Sequence, residues 1–301
     1  MKSALNSTRG SALAAAFSAL PPFPGKLRLV ETLGKLTGRL GNGHASFSPW
    51  PGARLEVDLR DRIQRQMWGS CYEPHVHRCL EALLRPGDIF LDIGAHIGYH
   101  AAFAAGRVGA GGQVHAFEPN PALHGLLTQN LAQFSWARGY PCAVWETGGT
   151  LGFEGSSFAG ESGWGTLTAV RDLGKGEHTT VQAVRLDDWT RKQDLSAIHA
   201  IKIDAEGAEL AILRGARELL ARCRPILLVE INDVLLRYAG GSAAEVKKCL
   251  AESDYDLFSL SWPRVGEWSL AENGEFSDAL CVPRERAQAT LAAMHHVGFR
   301  Q

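Results

Sequence analysis

Paired cysteines are missing from this sequence. Its 301 residues include six cysteines, and none of them falls into a C-x-x-C pair. This spacing excludes a zinc ribbon and a dithiol redox motif, because both need two closely spaced thiols. We expect reduced thiols in a cytosolic protein at Cys71, Cys79, Cys142, Cys223, Cys249 and Cys281.

A surplus of positive charge is also missing. Lys and Arg number 31 against 32 Asp and Glu, which gives a net charge of -1. A dedicated nucleic-acid binder needs an excess of basic residues to neutralise phosphates. We therefore expect no nucleic-acid partner, although local basic patches remain open.

Long apolar runs are missing as well, since none approaches the roughly 20 residues that a membrane-spanning helix needs. The stretch Ser11–Leu20 follows Lys2 and Arg9 and resembles the apolar part of a signal peptide. The Pro-Pro-Phe-Pro after it is typical of a helix stop rather than of a cleavage site. We expect a cytoplasmic protein, with export as the alternative.

The most informative segment that is present is Ile89–Tyr99. It predicts a buried strand that ends in a glycine turn and opens a helix, and residues 114–120 predict a second strand that ends at Glu118. Strand, glycine turn, helix, strand and acid make a nucleoside-binding βαβ unit. We expect the glycines to let the backbone approach the ligand, and Glu118 to accept hydrogen bonds from both ribose hydroxyls.

The glycine turn lacks the third glycine of a dinucleotide-binding G-x-G-x-x-G. Its order is Asp92, Gly94 and Gly98, with Asp92 inside the strand. An acid there suits a positively charged amino-acid group better than a phosphate. The predicted cofactor is therefore S-adenosylmethionine, whose carboxylate would face the N-terminus of the following helix.

Strands and helices alternate from residue 89 onward, which is typical of a doubly wound α/β sheet. We predict strands at 89–93, 113–117, 141–145, 200–203 and 225–231, and a terminal hairpin near 255–261 and 279–282. Residues 148–186 are rich in Gly, Ser and Thr, so we predict a β-hairpin insertion there. The fold class is α/β, with a mostly parallel, Rossmann-like sheet of seven strands.

Ligands of such a sheet bind outside the carboxyl ends of its strands. Asp204 and Glu206 follow the predicted strand 200–203, so one of them could orient or deprotonate an acceptor hydroxyl. The alternative is that Asp204 only caps the next helix. Trp145 could flank the adenine ring or simply pack in the core.

Oxygen ligands for a metal are also conceivable. Glu230 and Asn232 share one face of a predicted strand and could converge on Asp204, which would suit magnesium. The three lack the tight spacing of a dedicated cation loop, so we predict no essential metal. His75 and His77 lack a third ligand nearby and are interpreted as surface or capping residues.

Residues 25–40 predict an amphipathic helix, with an apolar residue at every third or fourth position and four basic residues elsewhere. We predict that this helix packs on the domain. A basic amphipathic helix could alternatively contact a membrane.

Four segments resemble the FkbM family of S-adenosylmethionine-dependent methyltransferases. They are residues 61–63 with 71–74, residues 86–98, residues 116–120, and residues 186–188 with 201–209. Their order and spacing agree with the family as well as their composition. The family usually has Asn where this sequence has His96, a departure that alters a local contact without excluding the cofactor.

The resemblance spans most of residues 50–235 and implies O-methylation, commonly of a sugar or polyketide hydroxyl. We predict a methyltransferase domain at residues 51–301 and an N-terminal helical extension at residues 1–50. The catalytic candidates are Asp204 and Glu206. The expected cofactor contacts are Glu73, Asp92, Gly94, Ala95, His96, Gly98, Glu118, Asn120 and Trp145. We expect a small-molecule or glycan acceptor. A protein or lipid acceptor, a catalytically silent binding module and a homodimer remain open.

Overall fold

A computed structural model describes residues 12–17, 19–21, 23–40, 42–156, 160–170, 178–268 and 276–300. The strands are β1 (His44–Phe47), β2 (Leu55–Asp58), β3 (Ile89–Ile93), β4 (Gln113–Phe117), β5 (Ala137–Tyr140), β6 (Cys142–Val144), β7 (Gly149–Glu154), β8 (Thr166–Leu167), β9 (His178–Val184), β10 (Ala200–Ile203), β11 (Ile226–Asn232), β12 (Tyr255–Ser261), β13 (Arg264–Glu267) and β14 (Phe276–Pro283). The α-helices are α1 (Lys26–Leu40), α2 (Arg62–Trp68), α3 (Pro74–Leu83), α4 (Tyr99–Val108), α5 (Pro121–Leu131), α6 (Leu186–Lys192), α7 (Glu209–Arg214), α8 (Arg217–Cys223), α9 (Asp233–Tyr238), α10 (Ala243–Ala251) and α11 (Ala287–His296).

The central sheet has the strand order β13-β12-β14-β11-β10-β3-β4-β5. Neighbours from β11 to β5 run parallel, while β14, β12 and β13 are antiparallel to their neighbours. The predicted doubly wound α/β class is confirmed. The predicted count of seven strands is wrong, because β13 pairs along β12 as an additional edge strand, which gives eight among the described residues.

Helices cover both faces of this sheet. Side chains alternate along a strand, so Phe90 of β3 packs into one hydrophobic cluster and the next residue, Leu91, into the other. Residues of α3, α4, α5 and α11 belong to the first cluster, and residues of α6 to α10 belong to the second. Burial on both faces explains why the inner strands β3 and β11 are mostly apolar.

A second sheet, with the order β6-β9-β7-β8, contains the predicted insertion. Antiparallel pairing of β7 with β9 confirms the hairpin. A strand does lie within the predicted range 141–145, since β6 covers residues 142–144, but its predicted place in the central sheet is wrong. The central sheet uses β5, which ends at Tyr140, and β6 pairs with β9 instead. Pro141 separates the two strands, since a residue without a backbone N–H cannot continue the ladder.

The N-terminal part packs on the first cluster. The predicted helix at 25–40 is confirmed as α1, which buries Val30, Gly34 and Gly38. The strand β1 pairs with β2 across residue 50, and the domain division at that residue stays a prediction. The signal-like stretch falls partly outside the described residues, and within it Ala14 and Phe17 are buried. None of the described helices has the length and apolar character needed to cross a bilayer.

Candidate functional site

A cavity of about 300 Å³ lies at the carboxyl ends of β3, β4, β10 and β11. Parallel strands bring these ends to one edge of the sheet, which is where ligands of α/β proteins bind. Its apolar wall includes Phe117, Leu123, Cys142, Ala143, Val144, Phe153 and Leu167. Its polar lining includes Tyr72, Glu73, His96, Glu118, Asn120, Ser162, Thr166, Asp204, Glu206, Glu230 and Asn232.

The glycine turn after β3 is shaped by the strand beside it. Gly94 has a φ of 80°, and a Cβ placed there would lie 1.7 Å from the backbone carbonyl oxygen of Asp204. The expected reason for this glycine, close approach of a ligand, is therefore incomplete, because it is the end of β10 that occupies the space. Gly98, the N-cap of α4, has a φ of 83°, and a Cβ placed there would lie 2.7 Å from the Leu127 side chain.

Glu118 connects the two loops that border the cavity. One carboxylate oxygen accepts the backbone N–H of Asn120 and the other accepts that of His96, each at 2.8 Å. Burial raises the pKa of Glu118 to about 7, although both hydrogen bonds oppose that shift. Each oxygen keeps a further lone pair, so the carboxylate can also accept hydrogen bonds from a vicinal diol in the cavity.

His96 fixes the segment on the other side of the cavity. Its Nε2 lies 2.7 Å from the Ser162 hydroxyl, and the Ser162 N–H donates to Asp61 at 2.7 Å. Burial lowers the pKa of His96 to about 4, so the ring is neutral at physiological pH. The residue that departs from the family pattern thus connects the glycine turn to residues 160–165.

Carboxylates converge at the far end of the cavity. One oxygen from each of Glu73, Asp204 and Glu230 lies within 4.8 Å of the other two. The Lys202 ammonium is 2.7 Å from Asp204 and 3.9 Å from Glu73, and His100 Nε2 is 2.9 Å from Glu73. This group is called the carboxylate cluster below.

Two members of the carboxylate cluster have opposite electrostatic surroundings. Burial raises the pKa of Glu73, but Lys202 and His100 outweigh it, and the net pKa lies well below the ordinary value. Burial, followed by the negative charge of Asp204, holds the pKa of Glu230 well above the ordinary value. Glu230 therefore binds a proton far more readily than Glu73 does.

Glu209 anchors the turn that carries Asp204 and Glu206 through hydrogen bonds to its backbone. One Glu209 oxygen accepts the backbone N–H groups of Ala205 and Gly207, both at 3.1 Å. Burial raises the pKa of Glu209 to about 7. Glu206 has a φ of 49°, so this anchored turn is left-handed where it faces the cavity.

The histidines that the sequence analysis interpreted as surface or capping residues are largely buried. His75 Nε2 lies 2.8 Å from Asp278 of β14, and this carboxylate raises the pKa of His75 although burial opposes it. His77 stacks on Phe103 with ring centroids 4.3 Å apart. The expected surface position is wrong, because His75 contacts the residue paired with Glu230 on the neighbouring strand, and His77 packs between aromatic rings.

The structure brings together only part of the predicted site. Seven of its residues line the cavity: Glu73, Gly94, His96, Glu118, Asn120, Asp204 and Glu206. Four do not: Asp92, Ala95, Gly98 and Trp145. Asp92 is 1% exposed, and neither of its oxygens has a hydrogen-bond partner among the described residues.

The oxygens that could hold a metal at the carboxylate cluster belong to Glu73, Asp204 and Glu230, whereas the sequence suggested Asn232 in place of Glu73. Asn232 caps α9, because its side-chain oxygen accepts the N–H of Leu235, whereas Glu73 contributes an oxygen. Lys202 and Tyr72 also belong to the site, although neither was predicted from the sequence. A signal for Lys202 was present, since a charged residue two positions before Asp204 shares its strand face.

A Rossmann-like sheet with a buried carboxylate and an apolar wall at its strand ends is typical of nucleoside-binding α/β enzymes, and S-adenosylmethionine-dependent methyltransferases are one class of them. Residues 92–257 match the Methyltransferase FkbM domain. This match spans more than half of the chain, which belongs to the FkbM methyltransferase family. Its cofactor is S-adenosylmethionine.

Three curated relatives are similar. The 2-O-methyltransferase NoeI of Sinorhizobium fredii is 29% identical over 171 residues, 52% of this chain and 69% of that protein. The 31-O-demethyl-FK506 methyltransferase FkbM of Streptomyces tacrolimicus is 31% identical over 181 residues, 50% of this chain and 68% of that protein. The hexuronic acid methyltransferase AglP of Haloferax volcanii is 27% identical over 183 residues, 60% of this chain and 69% of that protein.

Among solved structures, the methyltransferase FkbM from Methylobacillus flagellatus has a TM-score of 0.42 and 14% identity. The alignment covers 85% of this chain and 58% of that one, so this chain spans less than two thirds of it.

Proposed function

We propose that the protein transfers a methyl group to a hydroxyl of a sugar, glycan or natural product. One observation carries this proposal: a single cavity joins a carboxylate suited to a ribose, Glu118, to the carboxylate cluster at its far end. A catalytically silent cofactor-binding module has no use for that second group of carboxylates. The names of the curated relatives, which include a 2-O-methyltransferase and a hexuronic acid methyltransferase, support a hydroxyl acceptor.

The residues around Glu118 suit the nucleoside part of S-adenosylmethionine. Glu118 would accept hydrogen bonds from the two ribose hydroxyls, and the apolar wall would cover the adenine ring. Asn120 borders the same end, where its side chain caps α5 through the N–H of Ala122. When bound, S-adenosylmethionine supplies an electrophilic methyl group.

The carboxylate cluster would hold and deprotonate the acceptor. Lys202 fixes one oxygen of Asp204, so Asp204 can orient an acceptor hydroxyl through the other. Glu230 binds protons readily and lines the same end, which suits a general base. Glu206, on the anchored turn, is the second candidate for that base.

Methyl transfer from labelled S-adenosylmethionine to a panel of acceptors tests the proposal. The panel contains neutral glycosides, uronic acids, a peptide mixture and lipid extracts, and we expect label on a hydroxyl of a sugar or natural product. Label on protein or lipid would favour the alternative acceptors, and binding without transfer to any acceptor would favour the silent module.

Amide variants then assign the roles at the carboxylate cluster. Three variants, Asp204→Asn, Glu206→Gln and Glu230→Gln, keep the size of the side chain and remove its charge. The variant that lacks the general base should lose roughly 10²–10⁴-fold in kcat, while its dissociation constant for the cofactor stays unchanged. Because the pKa of Glu230 is raised, wild-type kcat should increase with pH, and Glu230→Gln should abolish this increase. Glu218→Gln, which changes an exposed side chain of α8, is the control. Near-normal kcat in all three variants would place the base elsewhere.

A further inference from the structure

The solvent-facing side of α1 carries two parallel strips of residues. Leucines occupy positions 29, 36 and 40, and basic residues occupy positions 28, 35 and 39, so each basic residue immediately precedes a leucine. Leu29 is 41% exposed, Leu36 51% and Leu40 72%. The opposite side packs on the domain through Val30, Gly34 and Gly38, so the strips are not needed to hold the helix in place.

The acidic residue of α1 does not neutralise the basic strip. Glu31 lies 2.9 Å from Arg65 and 3.8 Å from Arg62, both on the domain side. Among the described residues, Arg28, Lys35 and Arg39 have no ion-pair partner. The strip therefore presents three uncompensated positive charges beside three exposed leucines.

A basic cavity of about 410 Å³ lies where α1 meets α2. Its charged lining residues are Lys35, Arg39, Arg60, Arg62, Arg65 and Glu161. Arg60, Arg62 and Arg65 each face a carboxylate, Asp58, Glu161 and Glu31 respectively. The remaining positive charge comes from Lys35 and Arg39, and it can receive a phosphate group.

We propose that this face of the protein binds the surface of an anionic phospholipid bilayer. The phosphate headgroups would contact the basic strip and enter the cavity, and the leucines would enter the boundary between headgroups and acyl chains. Charge complementarity favours this occupant over a second copy of the chain, because two such faces would repel each other. Glu161 lines the basic cavity and the next residue, Ser162, lines the active-site cavity, so bound lipid would lie beside the active site.

Co-sedimentation of the full chain with vesicles tests this proposal. We expect binding to vesicles of phosphatidylcholine mixed with phosphatidylglycerol, little binding to phosphatidylcholine alone, and loss of binding at high salt. R28Q/K35Q/R39Q should lower the partition coefficient about 100-fold, at about fivefold for each charge. L29A/L36A/L40A should lower it at least tenfold, because the apolar contact is removed.

Matched controls separate this face from general stickiness. R191Q/K192Q removes two exposed charges on α6, and V234A/Y238A removes two exposed apolar side chains on α9; neither should change the partition coefficient. An unchanged cofactor dissociation constant would show that the α1 variants are folded. The proposal is wrong if anionic vesicles do not bind, if the α1 variants bind as well as wild type, or if the leucine variant instead converts a dimer into a monomer.

Discussion

Replacing Glu118 tests the centre of the cofactor site. Its carboxylate accepts hydrogen bonds from two backbone N–H groups and would accept two more from the ribose hydroxyls. Glu118→Ala therefore leaves buried donors without an acceptor on both loops and on the ligand. Unsatisfied buried groups of this kind cost about 1–3 kcal/mol, which corresponds to about a 5- to 150-fold higher dissociation constant. Glu118→Gln should raise the dissociation constant at least as much, because its amide NH₂ is a donor and would face one of the two backbone N–H donors.

Isothermal titration calorimetry with S-adenosylmethionine measures this loss. Because the pKa of Glu118 is raised to about 7, protonation below that pH removes acceptor capacity, so wild-type affinity should increase as the pH rises through 7. The affinity of Glu118→Gln should not change over that range. Glu218→Ala, whose side chain is 59% exposed, is the control. An unchanged dissociation constant in Glu118→Ala would place the ribose elsewhere.

Three further predictions concern the fold and the metal. Gly94→Ala should lower the melting temperature severely, because the added Cβ would collide with the Asp204 carbonyl. The control is Gly87→Ala, where φ is 93° and no atom lies within 4 Å of the added Cβ, so the variant should lose only about 1 kcal/mol of stability through backbone strain. Burial raises the pKa of folded Glu209 to about 7, against 4.5 for the free side chain, so ionising it as the pH rises through this range should lower the free energy of unfolding by up to about 3 kcal/mol. Glu118 has a similarly raised pKa and should contribute a fall of its own, so in denaturant titrations Glu209→Gln should show a smaller fall than wild type rather than none. Methyl transfer should persist in excess chelator; a loss that magnesium restores would instead make the carboxylate cluster a metal site.

The βαβ unit could be predicted from sequence because its signal is local. Apolar runs, a glycine turn and an acid at fixed spacing identify β3, α4 and β4, and Glu118 then follows from its place at the strand end. The strand that follows β4 in the central sheet was predicted at 141–145, but it is β5, at 137–140. The apolar run at 142–144 belongs to the second sheet. Local pattern does not reveal which sheet a short apolar strand joins.

The carboxylate cluster was harder to predict because its members come from distant parts of the chain. Glu73 precedes α3 and Glu230 lies at the end of β11, and only the packing of α3 over the sheet brings them together. Trp145 shows the opposite error, since an aromatic residue at a predicted strand end proved to lie outside the cavity. Asn232 has a capping role that its strand-face position did not indicate.

The order of strands in the sheet also sets the smallest part of the chain that can fold. The family match ends at residue 257, inside β12, yet β14 lies between β11 and β12 in the sheet. A chain truncated at residue 257 would leave β11 as an unpaired, strongly apolar edge, a form prone to aggregation. It would also lose Asp278, which contacts His75 and is paired with Glu230 across the sheet. Any fragment that is meant to retain the active site must therefore extend at least to Pro283, well past the end of the recognisable family sequence.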